Sequence, residues 1–397
     1  VGGPRCQVVI TTRRADVADE FGAELHQMDV MTPEQALELL AARLGRKTWE
    51  ATEREEALRL AEAVGHLPLA LELAAVRVAR GSSWTALRAA LEQETAHLEA
   101  LGGPRQGTKL EASFNLSLNA LRSDHENAWN AFIWLGVLPE DVQIVAPMAA
   151  TLWDTQQTEA SDPLELLWND GLLLPGSPII IGEKSWPSYR LHDLLHDIAR
   201  KLLTTNQPQG LGLTLRNAHA ALLEHYKRRI QNGLWHTLSD DGYIHAHLTW
   251  HFQKAGRVEQ IHALLREEPA EGRNGWYQAC EQLGQTAGFL ADVNLAWKLA
   301  EEESDIGLQC CYVLLLASFN SLAKNIPPEL VKALVTKGLW TPAQGLAYTR
   351  QIPDFKQRTE TFVALVPHLQ GAQHQEALPE ALTAARAIRN EWPRAEA

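Results

Sequence analysis

The chain has 397 residues, which is enough for about two to four domains with buried cores. Hydrophobic residues at 45% and charged residues at 21% exclude an intrinsically disordered chain, and the net charge of −13 disfavours nucleic acid and anionic membranes as main partners. The four cysteines lack paired spacing, so neither a disulfide framework nor a zinc site is indicated, and a reducing, cytoplasmic setting fits best.

The first segment carries a short run of β-branched residues, Val8 to Thr12, followed by Arg13 and Arg14. Such a run is typical of a strand that is buried on both faces of a parallel sheet. Ligands bind at the carboxyl ends of these strands, where a guanidinium can hold phosphate oxygens with two hydrogen bonds. The phosphate-binding loop G-x-x-x-x-G-K-[ST] does not occur in the sequence.

Residues 31–105 show helical periodicity with clear start and stop signals. The Thr-Pro pair at 32–33 predicts a helix start, and further helices are expected over 53–64 and from 69 to about 80. The turn Gly65-His66-Leu67-Pro68 lies between the last two, because glycine commonly ends a helix and proline commonly opens one.

Residues 106–204 predict helices followed by a short hairpin. Apolar spacing indicates helices around Phe114 and Phe132, and a third is expected from Pro163 to Asp170. Ile179–Ile181 and Ser188–Leu191 are expected to pair with each other, and helices followed by a hairpin suggest a winged helix. Acidic residues outnumber basic ones in this segment, so we expect no DNA binding from it.

The segment YRLHDLLHDIAR, from Tyr189 to Arg200, predicts a strand that ends on a histidine and an aspartate and leads into an amphipathic helix. Together with TTRR at 11–14 and GHLPLA at 65–70, it stands in the same order as three motifs of NB-ARC proteins, which belong to the STAND class of signalling ATPases. The chain resembles these proteins over roughly residues 5–204. Leucine replaces the methionine of their M-H-D motif, a mild change because the two side chains have similar volumes.

The resemblance implies nucleotide-binding roles for three residues. Arg13 would sense the γ-phosphate, Pro68 would pack near the adenine, and His192 would donate a hydrogen bond to the β-phosphate of ADP, while Asp193 would cap the following helix. In this family the phosphate loop and the magnesium ligand lie N-terminal to the segments found here. We therefore expect that this chain has no catalytic residue, hydrolyses no ATP and binds no nucleotide by itself. The full-length protein is expected to be a slow ATPase that binds ADP or ATP.

The resemblance also implies a mainly α fold for a fragment of a longer protein. Residues 1–30 would be the C-terminal remnant of a P-loop α/β nucleotide domain, and residues 31–105 a helical domain. Residues 106–204 would form a winged helix. Residues 205–397 would form a helical domain and the start of an α-solenoid of helical repeats.

Two other interpretations of His192 remain open. It can be a histidine at a helix start whose ring forms its hydrogen bonds with the backbone. It can also be a metal ligand with His196, four residues later on the same helical face, beside Asp193 and Asp197. The zincin pattern requires glutamate after the first histidine, where this chain has Asp193. We expect no metal, and a metal-dependent hydrolase is the third-ranked function.

The C-terminal segment is predicted to be helical throughout. His247 and His251 are also four residues apart, but their aromatic and aliphatic neighbours indicate packing residues rather than metal ligands. The uncharged run from Ile306 to Ala323 contains polar side chains, so a buried helix is expected there rather than a membrane span.

An internal repeat of 36 residues marks the tail. The spacing of Arg350, Ile352, Arg358 and Glu360 recurs at Arg386, Ile388, Arg394 and Glu396, and Leu346 corresponds to Leu382. A period of this length with helical apolar spacing predicts a solenoid of helix pairs.

The expected function is the regulatory and sensor part of a STAND switch. ADP would hold a closed state, a protein trigger would bind the repeats, and ATP would drive self-association of the full-length protein. Nucleic acid and membranes are not expected partners. The alternative is a scaffold whose helical repeats bind a protein and whose nucleotide motifs are vestigial.

Overall fold

The computed structural model describes residues 29–102, 107–269, 274–369 and 371–388, together with Glu24 and His26. These residues are mainly helical, as the sequence predicts, and they form nineteen α-helices and five short strands. None of the helices in this part of the chain is long and apolar enough to cross a membrane. The strand predicted at residues 8–12 and Arg13 lie outside the described residues.

The chain divides into two compact units, Val1–Asp124 and His125–Ala397. The first unit contains five described helices: α1 (Pro33–Leu44), α2 (Ala51–Ala63), α3 (Pro68–Ala79), α4 (Trp84–Gly102) and α5 (Thr108–Asp124). Helix α5 packs against α3 and α4 and so belongs to the first unit.

The start of α1 shows why this unit folds as its sequence predicts. The Thr32 hydroxyl accepts a hydrogen bond from the Gln35 N–H, and the Gln35 side chain accepts one from the Thr32 N–H, which forms a capping box. The apolar faces of the helices meet in one core, in which Leu40, Leu60 and Leu71 are fully buried. Burial of a leucine side chain contributes roughly 1.5–3 kcal/mol to folding.

The second unit begins with helices and strands that form a small mixed substructure. The helices are α6 (Glu126–Trp134), α7 (Ala146–Leu152), α8 (Gln157–Asn169) and α9 (Asp193–Thr204). The strands are β1 (Ile144–Val145), β2 (Leu174–Pro175), β3 (Ile179–Ile181), β4 (Lys184–Trp186) and β5 (Ser188–Arg190). Helix α8 begins at Gln157 rather than at Pro163, because Gln156 and Glu159 form a capping box six residues earlier than predicted.

The predicted pairing of Ile179–Ile181 with Ser188–Leu191 is wrong. Strand β3 pairs antiparallel with β4, in register Ile179 to Trp186, through a two-residue turn that begins at Gly182. Gly182 has a φ of +62°, which suits the tight hairpin turn that leaves β5 free. Strand β5 is instead the centre of an antiparallel sheet with the order β1-β5-β2.

Helix α9 follows β5 directly and packs against α6 and the short 3₁₀ turn Leu135–Val137. A Cβ at Gly136 would lie 2.5 Å from the backbone nitrogen of Arg200, so only glycine permits this close approach. The approach holds the middle of α9 against the 3₁₀ turn.

The rest of the second unit is helical. The helices are α10 (Leu215–Lys227), α11 (Ile244–Lys254), α12 (Val258–Leu264), α13 (Gly275–Gln282), α14 (Thr286–Glu302), α15 (Ile306–Asn325), α16 (Pro328–Thr336), α17 (Pro342–Gln351), α18 (Phe355–Leu365) and α19 (Gly371–Ala387). In the 36-residue repeat, Ile352 and Ile388 are both buried, whereas Leu346 is buried and Leu382 is half-exposed.

Helix α15 is less buried than predicted. Tyr312 is fully buried, but Ile306 and Leu314 expose 73% and 67% of their surface, and Cys310 is also exposed. The expectation of a buried helix is therefore wrong for one of its faces. The helix presents an apolar stripe at positions 306, 310, 313, 314 and 317 that no described residue covers.

Candidate functional site

The turn that carries Pro68 is built on two residues in the left-handed backbone region. Gly65 has a φ of +70° and His66 a φ of +56°, and the His66 N–H donates to the Ala61 carbonyl at 2.9 Å, which closes the end of α2. The His66 carbonyl then accepts a hydrogen bond from the Met31 N–H at 3.1 Å. The turn is thus fixed at both sides by backbone contacts.

Pro68 occupies the first position of α3 and is exposed. Its ring needs no hydrogen bond, because the first turn of a helix leaves its N–H groups unpaired in any case. Lys109 of α5 contacts the turn: its Nζ donates to the Glu62 carbonyl at 2.9 Å, and its side chain lies against Gly65. Pro68 therefore presents a rigid apolar edge that a flat ring could contact.

His192 lies at the junction of β5 and α9, at the N-cap position of this twelve-residue helix. The Leu194 N–H lies 3.2 Å from His192 Nδ1 and 2.9 Å from Asp193 Oδ1. The expectation that Asp193 caps the helix is therefore corrected in position: His192 is the N-cap residue, and Asp193 is the first helical residue. Its carboxylate still accepts a helix N–H and lies at the positive end of the helix dipole.

The protonation of the His192 ring follows from a short contact. Nδ1 lies 2.6 Å from Asp193 Oδ1, a separation that requires a proton between the two atoms. We therefore assign Nδ1 as a donor to Asp193, which leaves Nε2 as the atom available for a ligand. Nε2 can donate to a phosphate only when the ring carries its second proton.

A cleft of about 290 Å³ opens beside His192. It is lined by Glu140, Asp141, Leu174, Arg190, Leu191, His192, Asp193 and His196. Arg190 is exposed at the end of β5, where its guanidinium can pair with an anion. Three carboxylates in the same lining oppose an anion, so phosphate binding here depends on the two basic side chains and the end of α9.

His196 is placed differently from His192. It is 3% exposed, and its Nε2 lies 2.8 Å from the Leu138 carbonyl oxygen. The group of side chains that the described residues bring together at metal-binding distance consists of Glu140, His196 and Asp197, without His192. The structure therefore does not pair the two histidines of the HDLLH segment.

His251 is a buried packing residue, as predicted. Its Nδ1 lies 2.8 Å from His219 Nδ1, and its Nε2 lies 2.6 Å from the Tyr243 hydroxyl. Burial lowers the pKa of His219 to about 4, with smaller contributions from the positive charges of Arg200 and Lys254. Burial is also the main reason why the pKa of His251 is well below its ordinary value. Both rings are neutral at pH 7 and hold α10 against α11.

The predicted site residues fall in separate parts of the chain. Pro68 belongs to the first unit and His192 to the second, and Arg13 lies outside the described residues. The acidic side chains of Glu140 and Asp141 were not predicted as part of the His192 cleft, because about fifty residues separate them from it in sequence. Arg190 had a local signal, since it precedes the LHD motif by one residue.

The mainly helical fold and the similarity to regulatory proteins support a relationship to the STAND-class ATPases. The chain is similar to the regulatory protein AfsR of Streptomyces griseus, with 35% identity over 201 residues, which are 50% of this chain and 19% of that protein. AfsR of Streptomyces coelicolor is 33% identical over 228 residues, 57% of this chain and 21% of that protein.

More distant similarity extends to animals. The apoptotic protease-activating factor 1 of Mus musculus is 24% identical over 269 residues, which are 66% of this chain and 20% of that protein. The chain spans about a fifth of the length of these relatives. No family model matches it. These relatives support a regulatory signalling role of the STAND type.

Proposed function

We propose that this chain is the regulatory and sensor part of a STAND-class nucleotide switch. In the full-length protein, bound ADP holds a closed state, and exchange for ATP permits self-association. The order of the three sequence motifs and the similarity to AfsR and to apoptotic protease-activating factor 1 support this proposal. The winged-helix assignment of the segment around β3, β4 and α9 and the predicted domain boundaries belong to the same proposal.

The position of His192 is the observation that carries the proposal. Its ring lies at the N-terminal end of a twelve-residue helix and is one-third exposed, in a cleft that also contains Arg190. A helix N-terminus attracts phosphate through its free N–H groups and dipole. A protonated imidazole and a guanidinium add two charged donors, so a diphosphate has three sources of attraction there.

Pro68 and Arg13 complete the proposed nucleotide contacts. The exposed Pro68 ring, held by its fixed turn, would pack against the adenine, and Arg13 would report the γ-phosphate. The phosphate loop and the magnesium ligand are supplied by the preceding part of the full-length protein, which we propose is a slow ATPase. This chain alone binds no nucleotide tightly and hydrolyses none.

The helical repeats would bind a protein trigger. An acidic chain of net charge −13 does not suit nucleic acid or anionic membranes, and we place the switch in the cytoplasm. Trigger binding would favour the open state by its higher affinity for that state, which is a population shift.

Calorimetric titration with ADP tests the proposal on this chain and on a version extended N-terminally through the phosphate loop. We expect tight binding only by the extended version and about a 10–100-fold loss on His192→Ala, as for the loss of one hydrogen bond to a charged group.

His125→Ala is the matched control. His125 is also an exposed N-cap histidine, of α6, and its side chain makes no capping hydrogen bond. ADP affinity should be unchanged in this variant. Failure of the extended version to bind ADP would refute the switch.

A protein-binding scaffold is the second candidate, and the apolar stripe of α15 favours it. Ile306 and Leu314 are exposed on a helix without a charged residue between positions 306 and 323. Such a stripe is suited to a protein partner whatever the nucleotide state. If a partner bound to the full-length protein with equal affinity in ADP and in ATP, the scaffold would be the correct function.

A further inference from the structure

A buried imidazole with an unused nitrogen lies between α9 and the loop Leu138–Asp141. The His196 ring is 3% exposed, and its Nε2 lies 2.8 Å from the Leu138 carbonyl oxygen. A carbonyl oxygen can only accept, so Nε2 carries the proton and Nδ1 carries a lone pair. Nδ1 is inaccessible to solvent and has no hydrogen-bond partner among the described residues.

Two carboxylates stand next to this ring. One oxygen of Glu140, one of Asp197 and one ring nitrogen of His196 all lie within 4.8 Å of one another. Both carboxylates are exposed, and neither forms a hydrogen bond or ion pair with any residue that the structure describes. The cluster thus offers two negative charges, and its imidazole has one nitrogen, Nδ1, whose lone pair no described residue uses.

We infer that Glu140, His196 and Asp197 bind a divalent transition-metal ion of the zinc or manganese type. An imidazole ligand favours such ions over magnesium and calcium, which prefer oxygen alone. The Nε2–H bond to the Leu138 carbonyl is the arrangement that orients most metal-binding histidines. Ligand atoms around such an ion are roughly 3–3.4 Å apart, as bond lengths near 2.1 Å require, so the exposed carboxylates need to close by about 1–2 Å.

The proposed ion would join two segments that are far apart in sequence. It would fasten the loop Leu138–Asp141 to α9 one helical turn after His192, and so stiffen one wall of the cleft beside that residue. The site shares Glu140 and His196 with the lining of that cleft, but His192 is not one of its ligands. It also departs from the expectation of no metal, which considered the cysteines and two histidine pairs but not Glu140.

Calorimetric titration of the purified chain with zinc chloride and with manganese chloride tests the inference, with magnesium chloride for comparison. We expect one zinc or manganese ion per chain and at least about tenfold weaker magnesium binding. The double variant Glu140→Gln, Asp197→Asn should lower the transition-metal affinity at least about tenfold. Both substitutions are on the surface and isosteric, so circular dichroism should show an unchanged fold.

Asp141→Asn and His192→Ala are the matched controls, because both residues line the adjoining cleft but lie outside the cluster. Their metal affinity should equal that of the unmodified chain. Absence of binding overturns the inference. Binding that survives the double variant, or that Asp141→Asn weakens equally, assigns the ion to other ligands and overturns it as well.

Discussion

Asp292 of α14 is a buried carboxylate whose ionisation opposes folding. It accepts hydrogen bonds from the Thr249 hydroxyl and, at 2.9 Å, from the Trp276 Nε1–H, yet burial raises its pKa from 3.8 to about 6. The burial effect exceeds the opposing effect of the two donors, which both lower the pKa. The folded protein therefore holds the Asp292 proton more tightly than the unfolded chain does.

Replacement by asparagine removes this ionisation. The asparagine oxygen can accept from Trp276, and its amide can donate to the Thr249 hydroxyl oxygen, so both partners keep a hydrogen bond to residue 292. A pKa of about 6 against 3.8 corresponds to about 3 kcal/mol of unfolding free energy. The sign follows from linkage: because the folded pKa is the higher one, stability from protonated Asp292 is present below pH 3.8 and is lost as pH rises through 6.

Urea unfolding of both proteins between pH 4 and pH 8 measures the effect. The free energy of unfolding of Asp292→Asn, relative to the unmodified chain, should rise with pH by about 2–3 kcal/mol and level off above pH 7. The comparison cancels the other titrating groups, which are the same in both proteins. A difference that does not change with pH, or that falls as pH rises, would refute the reasoning.

Three further changes have definite expected outcomes. Asp193→Ala should lower the free energy of unfolding by about 0.5–1 kcal/mol, because the Asp193 carboxylate accepts the Leu194 N–H at the start of α9, and His125→Ala should not; urea unfolding measures both. His219→Gln should reduce the loss of stability between pH 7 and pH 4. Because the folded pKa of His219 is the lower one, the neutral ring contributes stability above pH 6.5 that is lost on acidification. Equal changes of unfolding free energy with pH in both proteins would contradict this. Gly65→Ala should lower the free energy of unfolding by about 1 kcal/mol, because Gly65 has a φ of +70° and the Lys109 side chain is close. Gly288→Ala in α14 should stabilise the protein, because the space around Gly288 is open. Thermal unfolding measures both variants, and similar effects at the two positions would refute the strain at Gly65.

The helix starts were the most predictable part of the fold, because their signals are local. The Thr32-Pro33 pair opens α1 as expected, and Pro68 opens α3. Pro163 was misleading for the same reason: proline suits a first turn, but the capping box of Gln156 starts α8 earlier, and Pro163 lies inside the helix. Local propensity identifies an element better than it identifies its boundary.

Strand pairing was not predictable because its determinants are not local. The two-residue turn at Gly182 closes β3 onto β4, and that short hairpin removes the partner expected for β5. The actual partners, β1 and β2, have two residues each, which is too short for a periodic signal. For the same reason the sequence indicated His192 but not the carboxylates of its cleft, which a loop brings in from Glu140 and Asp141.

Lys109 connects α5 to the turn that carries Pro68. This helix has 17 residues and a length of about 25 Å. Near its N-terminal end, Lys109 donates a hydrogen bond to the Glu62 carbonyl, which precedes the turn of Pro68. At its C-terminal end, Asp124 is the last residue of the first unit. Because α5 packs against α3 and α4 and its Lys109 donates to the Glu62 carbonyl, a displacement of this helix would be transmitted to the Gly65 turn by apolar packing and by that hydrogen bond together.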